Sequence, residues 1–162
     1  MTNELYHHGV KGMKWGVRKT RTKTGRNISV RQQKTPLLAK GLSRVSPKIR
    51  DTVNRSMNAD IVYNNKKVGD LQIYRTSKDE LNGVWLGVNE KQRGQGIADA
   101  VLKETINYAK ENGYKYMTLE VPGNSPDARH IYEKNGFIAV KQISSSDDVW
   151  GGLTSMRKDL RT

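Results

Sequence analysis

Between residues 84 and 112 a short apolar strand pattern runs through Arg93-Gly94-Gln95-Gly96 straight into a long amphipathic helix. Ile97, Val101 and Tyr108, with Ala98, Leu102, Ile106 and Ala109, fall on an apolar side, while Lys103, Glu104, Asn107, Lys110 and Glu111 do not. Asn112-Gly113 supplies the stop. Such a helix must lay its apolar side on a sheet, and the strand that feeds it belongs to that sheet.

The flanking segments supply the other strands. Residues 59–63 and 68–75 read as strands around an Asn64-Asn65-Lys66-Lys67 turn, with Leu71 and Ile73 alternating against Asp70, Gln72 and Tyr74. A polar loop containing Asp79 and Glu80 then leads to the strand at 84–88. Beyond the long helix, Met117, Leu119 and Val121 alternate against Tyr116, Thr118 and Glu120 in a strand at 116–121. A second helix from about Pro126 to Lys134 stops at Asn135-Gly136, and strands at 137–143 and 153–160 follow. The order β-β-β-α-β-α-β-β describes a mixed α/β sheet with helices packed on it, without internal repeats.

Residues 1–35 hold few aliphatic side chains and no sustained period, which predicts a basic, flexible N-terminal arm. Residues 36–58 predict a short helical linker, Pro47 suiting the first turn of its second piece, and residues 59–162 the folded domain. Charge follows the same division. Residues 1–55 carry 14 Lys/Arg against 2 Asp/Glu, and the remainder 15 against 14, so the formal net charge of +13 sits almost wholly in the first third. Such an arm attracts polyanions, whether nucleic acid, acidic protein or anionic lipid. With only Tyr6 and Trp15 as aromatics, it is poorly equipped to stack on single-stranded bases.

Cysteine is absent, which excludes disulfides, thiolate metal sites and a cysteine nucleophile. His7-His8 has no third ligand nearby, so no metal is expected. No apolar run is long enough to span a bilayer and residues 1–6 lack a signal-peptide pattern, so the expectation is a cytoplasmic protein with no membrane contact.

The loop at Arg93, Gly94, Gln95, Gly96, Ile97 and Ala98 carries the chemistry. Glycines let a backbone turn tightly and approach a ligand, and the free N–H groups at a helix start favour phosphate oxygens. Arg93 adds a permanent charge suited to phosphate. Alone, the loop is also an ordinary tight β-to-α connection. Its glycine spacing is not the dinucleotide fingerprint, and no Gly-Lys-Ser/Thr follows.

The wider pattern resembles the GNAT acyltransferase family, whose loop reads Arg/Gln-x-x-Gly-x-Gly/Ala; Arg93, Gly96 and Ala98 match it. The family's later segment, Asn-x-x-Ala-x-x-Leu-Tyr-x-x-x-Gly-Phe, is similar to Ser125-Pro126-Asp127-Ala128-Arg129-His130-Ile131-Tyr132-Glu133-Lys134-Asn135-Gly136-Phe137, with Ser125 at the Asn position and Asn124 just before it. Met156-Arg157-Lys158-Asp159-Leu160 is similar to its closing strand. The likeness covers roughly residues 59–162.

That resemblance implies a mostly antiparallel sheet with one splayed parallel strand pair, here residues 84–88 and 116–121, and acetyl-CoA as co-substrate in the splay. Leu86, Gly87 and Val88 would bond the pantetheine arm like an added strand, and Arg93 to Ala98 would hold the pyrophosphate. Asn124 or Ser125 would meet the pantetheine. A primary amine would attack the thioester directly, with Tyr132 as the acid for the departing thiolate and Glu120 as the base. Glu90, Asp79 and Glu80 stand as alternative bases, and a protein lysine, a protein N-terminus, a polyamine and an aminoglycoside are all open as acceptors. The family's first strand and the two helices after it are not evident, so the fold is expected to be abbreviated at the N-terminus. Residues 36–56 or a partner subunit would then wall the acceptor site, and a homodimer would pair through the last strands.

Leu5-Tyr6-His7-His8-Gly9-Val10-Lys11-Gly12-Met13-Lys14-Trp15-Gly16-Val17-Arg18 resembles a short sequence at the ends of phage and prophage proteins. This implies a phage- or prophage-encoded enzyme in a bacterial host, addressed to a virion or its assembly by a docking element with Trp15 as anchor. Two other classes stand beside the enzyme: a non-catalytic GNAT-fold module of a phage assembly protein, and a polyanion binder acting through residues 1–55.

Overall fold

A computed structural model describes residues 15–145 and 147–162. The six expected β-strands join two others in one eight-stranded sheet, which begins far earlier in the chain than the sequence pattern suggested. Val17–Arg21 (β1) and Asn27–Gln32 (β2) make an antiparallel hairpin, and β2 pairs with Ser56–Tyr63 (β3). Lys66–Arg75 (β4), Glu80–Val88 (β5), Tyr116–Pro122 (β6), Ile138–Ser144 (β7) and Leu153–Asp159 (β8) complete it in the order β1-β2-β3-β4-β5-β6-β8-β7. Every neighbouring pair is antiparallel except β5 and β6. The helices are Leu37–Val45 (α1), Pro47–Arg55 (α2), Ile97–Glu111 (α3) and Pro126–Lys134 (α4). None among the described residues is long and apolar enough to cross a membrane.

The local reasons are legible. Asn64 and Asn65 both take positive φ, 51° and 59°, and join Tyr63 to Lys66 by a two-residue turn whose twist suits adjacent strands. The apolar side of α3 packs on β1, β2 and β5, and Ile97, Val101, Leu102, Tyr108 and Ala109 join one buried core with Ile28 and Val30 of β2 and Leu81 of β5. α4 ends in two crossed bonds, Phe137 N–H to the Tyr132 carbonyl and Gly136 N–H to the Glu133 carbonyl, with Gly136 at φ 83°. This glycine stop turns Phe137, 2% exposed, down into the core.

Three expectations need correction. Residues 15–32 are not a flexible arm. Trp15 is 5% exposed, its indole N–H donates to the Val30 carbonyl at 3.2 Å, and its ring meets Tyr108 at 4.7 Å between centroids. Trp15 is therefore engaged within its own chain; Leu5 to Lys14 of that motif, with His7-His8, lie outside the described residues. The N-terminal abbreviation is likewise absent, because β2, α1 and α2 supply a strand and two helices before β3, which itself starts at Ser56 rather than Ala59. Finally, β5 begins at Glu80, so the segment expected as a loop up to Gly83 is strand.

Candidate active site

The parallel pair β5/β6 is short. Glu80, Leu81, Asn82 and Gly83 lie beside Tyr116, Met117, Thr118 and Leu119, and there the pairing ends. Beyond this point β5 stays with β4 as far as Val88, and β6 stays with β8 as far as Pro122, so the two strands diverge. A bulge marks the parting: β4 residues Gln72 and Ile73 face Trp85 and Gly83, leaving Val84 as the extra residue. From Val84 to Val88 the second edge of β5 has no neighbouring strand. Gly69 lets β4 approach β5 closely at the open end, since a Cβ there would stand 2.1 Å from the Gly87 carbonyl oxygen.

The divergence opens a cleft of about 940 Å³. Most of the residues singled out from sequence line it: Leu86, Gly87 and Val88 on the β5 side, Arg93 to Ala98 at the open end, and Glu120, Asn124, Ser125 and Tyr132 opposite. Gly94 and Gly96 take φ of 73° and 76°, a region that favours glycine. Gly96 caps α3 without any side-chain hydrogen bond, and the first helical bond runs from Ala100 N–H to the Gly96 carbonyl. The N–H groups ahead of Ala100 are thus left over at the helix start, on the cleft wall. Arg93 is tethered by its Nε to the Val88 carbonyl at 3.0 Å, and its Nη1 stands 4.0 Å from the exposed Glu90 carboxylate.

Across the cleft, burial raises the Tyr132 phenol above its ordinary value, favouring the protonated form. Its ring packs 6.1 Å from Phe137. Asn124 is tied to the β7–β8 loop through its N–H to the Trp150 carbonyl at 3.1 Å, and Ser125 caps α4 without spending its hydroxyl on the helix. Glu120 is exposed on β6, one residue past the last pair with β5. The alternative bases are elsewhere. Asp79 pairs with Lys115 at 3.3 Å, Glu80 lies within the paired part of β5 near Arg157 at 3.7 Å, and Glu90 sits in a short 3-10 turn, 87% exposed. None of these three lines the cleft.

Sequence reasoning missed Lys23, Thr24 and Arg26 of the β1–β2 turn, His130 on α4 and Trp150 in the β7–β8 loop, all of which line the cleft. The alternation of Ile28 and Val30 was the available signal for the hairpin; nothing in the sequence marked His130 or Trp150.

Asp99 holds the two walls together. Its carboxylate accepts from Lys103 at 2.8 Å and from the Asn135 side-chain amide at 2.8 Å, and Lys134 stands at 3.4 Å, so α4 is pinned to the first turn of α3. Burial alone would raise its pKa, but the Lys103 and Asn135 hydrogen bonds and the Lys103 charge outweigh burial and hold it at about 2. The unfolded chain therefore takes up this proton first, so the stabilisation is complete above about pH 4 and disappears as pH falls towards 2. Asp99→Asn is expected to cost about 2 kcal/mol at pH 7, with the gap to wild type narrowing below pH 4. Urea unfolding of both proteins across that range measures it; a gap that is constant with pH would mean the charge contributes nothing.

Comparison with known proteins accords with this geometry. Over 71 residues the chain is 31% identical to human N-acetyltransferase 8B, a match covering 44% of this chain and 30% of that protein's length. A GNAT family acetyltransferase from Elizabethkingia anophelis, solved with acetyl-CoA bound, superposes with a TM-score of 0.62 at 20% identity, over 82% of this chain and 97% of that one. RimJ of Mycobacterium smegmatis, in complex with CoA-disulfide, superposes with a TM-score of 0.66 at 16% identity, over 88% and 86%. At these identities the structures speak for the fold. Residues 1–22 match the model of a family of unknown function. Residues 59–139, half of the chain, match the model of the acetyltransferase (GNAT) domain, and with the forked sheet and its glycine loop this chain belongs to the GNAT acetyltransferase family.

Proposed function

We propose that this protein is an N-acetyltransferase that moves an acetyl group from acetyl-CoA to a primary amine. The observation that carries the reading is the fork itself: an unpaired strand edge from Val84 to Val88 that leads to a glycine loop and an uncapped helix start. The five residue steps from Gly83 to Val88 span about 17 Å. That is room for an extended pantetheine arm bonding to strand backbone, with the N–H groups and Arg93 meeting its pyrophosphate.

In the reaction the amine nitrogen forms a bond to the thioester carbonyl carbon, the carbon–sulfur bond breaks, and the acetyl group leaves with the amine. With no cysteine in the chain, transfer through an acylated cysteine is excluded and direct attack is the simple course. Tyr132, a phenol that burial holds still further towards its protonated form, supplies the proton to the departing thiolate. Glu120, a carboxylate on the cleft wall without an ion-pair partner among the described residues, takes the proton that the ammonium must lose.

Thiol release from acetyl-CoA over a panel of lysine peptides, free peptide N-termini, polyamines and aminoglycosides tests the reading. Tyr132→Phe is expected to lower kcat by about 10- to 100-fold with KM for acetyl-CoA within about twofold. Full turnover by that variant removes the acid role from Tyr132. A wild type that binds acetyl-CoA but acetylates no amine would favour a binding module that retains the fold without the chemistry.

A further inference from the structure

The β1–β2 turn reaches the cofactor cleft, and its two cations are not used by the fold. Lys23 and Arg26 line the open end of the cleft together with Gln95 and Gly96. Neither pairs with a carboxylate among the described residues; the Arg26 guanidinium reaches only the Thr24 hydroxyl at 3.5 Å. Other cations nearby have carboxylate partners: Arg18 has Glu104 and Glu111, and Lys103 and Lys134 share Asp99.

The turn is held in place. Arg18 clamps β1 to α3 through Glu104 and Glu111, and the Thr20 hydroxyl donates to the Ala100 carbonyl at 3.4 Å. Thr22, 6% exposed, fixes the turn by donating its N–H to the Arg26 carbonyl at 3.0 Å and accepting the Arg26 N–H on its hydroxyl at 3.1 Å. Its Cβ lies 3.7 Å from where a Cβ on Gly96 would be, so the turn abuts the glycine loop.

Resting on the acetyl-CoA reading above, we propose that Lys23 and Arg26 bind the 3′-phosphate on the ribose of CoA. The glycine-loop N–H groups and Arg93 serve the pyrophosphate. Two further unpaired cations beside that loop, at the end of the cleft away from the fork, match the one remaining phosphate of the molecule. The hairpin that sequence reading assigned to a polyanion-seeking arm thus makes the domain selective for a cofactor carrying that phosphate.

Calorimetric titration of CoA and of 3′-dephospho-CoA into the full chain tests this, with wild type beside a Lys23→Gln/Arg26→Gln double variant. Wild type is expected to bind CoA at least about 10-fold more tightly than 3′-dephospho-CoA, since charge-assisted phosphate contacts are the strong ones. In the double variant the two affinities should come within about twofold, through weaker CoA binding, with 3′-dephospho-CoA unchanged. Lys23→Arg, which keeps the charge, should retain most of the preference. Equal affinities in wild type, or a preference that survives the double variant, overturn the proposal and leave the acetyl-CoA reading standing. A wild type that binds neither ligand overturns both.

Discussion

Trp15→Ala is expected to lower the free energy of unfolding by about 3–5 kcal/mol, the range for removing a buried aromatic side chain. The indole is 5% exposed, packs against Tyr108 near the end of α3 with the rings tilted by 42°, and has the Arg18 guanidinium 5.4 Å from its centroid. Its removal opens a void under β2 and frees the Val30 carbonyl from its 3.2 Å bond. Trp15→Phe should recover much of the packing but leave that carbonyl without the indole donor, for a smaller loss of about 1–2 kcal/mol. Urea unfolding of the three proteins measures the series. A change below about 1 kcal/mol for Trp15→Ala would mean that residues 15–32 are an appendage and that the domain stands without them.

The same residues show why some of the fold could be read from sequence and some could not. α4 ran from Pro126 to Lys134 as expected because its signals are local: a proline at its first turn and an Asn-Gly stop. The fork was partly legible. Residues 84–88 read as strand, but Glu80 to Gly83 did not, because Asn82-Gly83 imitates a turn and the polar partners that hold that stretch, such as the Asn82 amide on the Thr118 hydroxyl at 3.1 Å, are 36 residues away. β1 was harder still. It is an edge strand, and its inward residues Arg18 and Thr20 meet α3 through polar groups rather than an apolar stripe, so its composition resembled that of a solvated tail. Site residues carried by a contiguous motif were found; Lys23, Arg26, His130 and Trp150 arrive by topology, which no window along the chain contains.

Gly96→Glu is expected to weaken acetyl-CoA binding by about 100- to 1,000-fold while the protein stays folded. Two costs act together. At φ 76° any side chain strains the backbone, by roughly 1 kcal/mol. The new carboxylate also stands at the helix start, among the N–H groups assigned to pyrophosphate. Like charges about 4 Å apart at an effective dielectric near 20 repel by about 4 kcal/mol, close to a thousandfold in Kd. Gly96→Ala separates the two: a Cβ here meets only the Thr22 Cβ, at 3.7 Å, so alanine carries the strain without the charge and should cost less than about 10-fold. Titration of acetyl-CoA into wild type, Gly96→Ala and Gly96→Glu therefore reads the charge contribution as the ratio of the two variants. Equal losses in both would assign the effect to backbone geometry alone. Undiminished binding in Gly96→Glu would move the pyrophosphate away from α3, and with it the direction in which the cofactor lies along the fork.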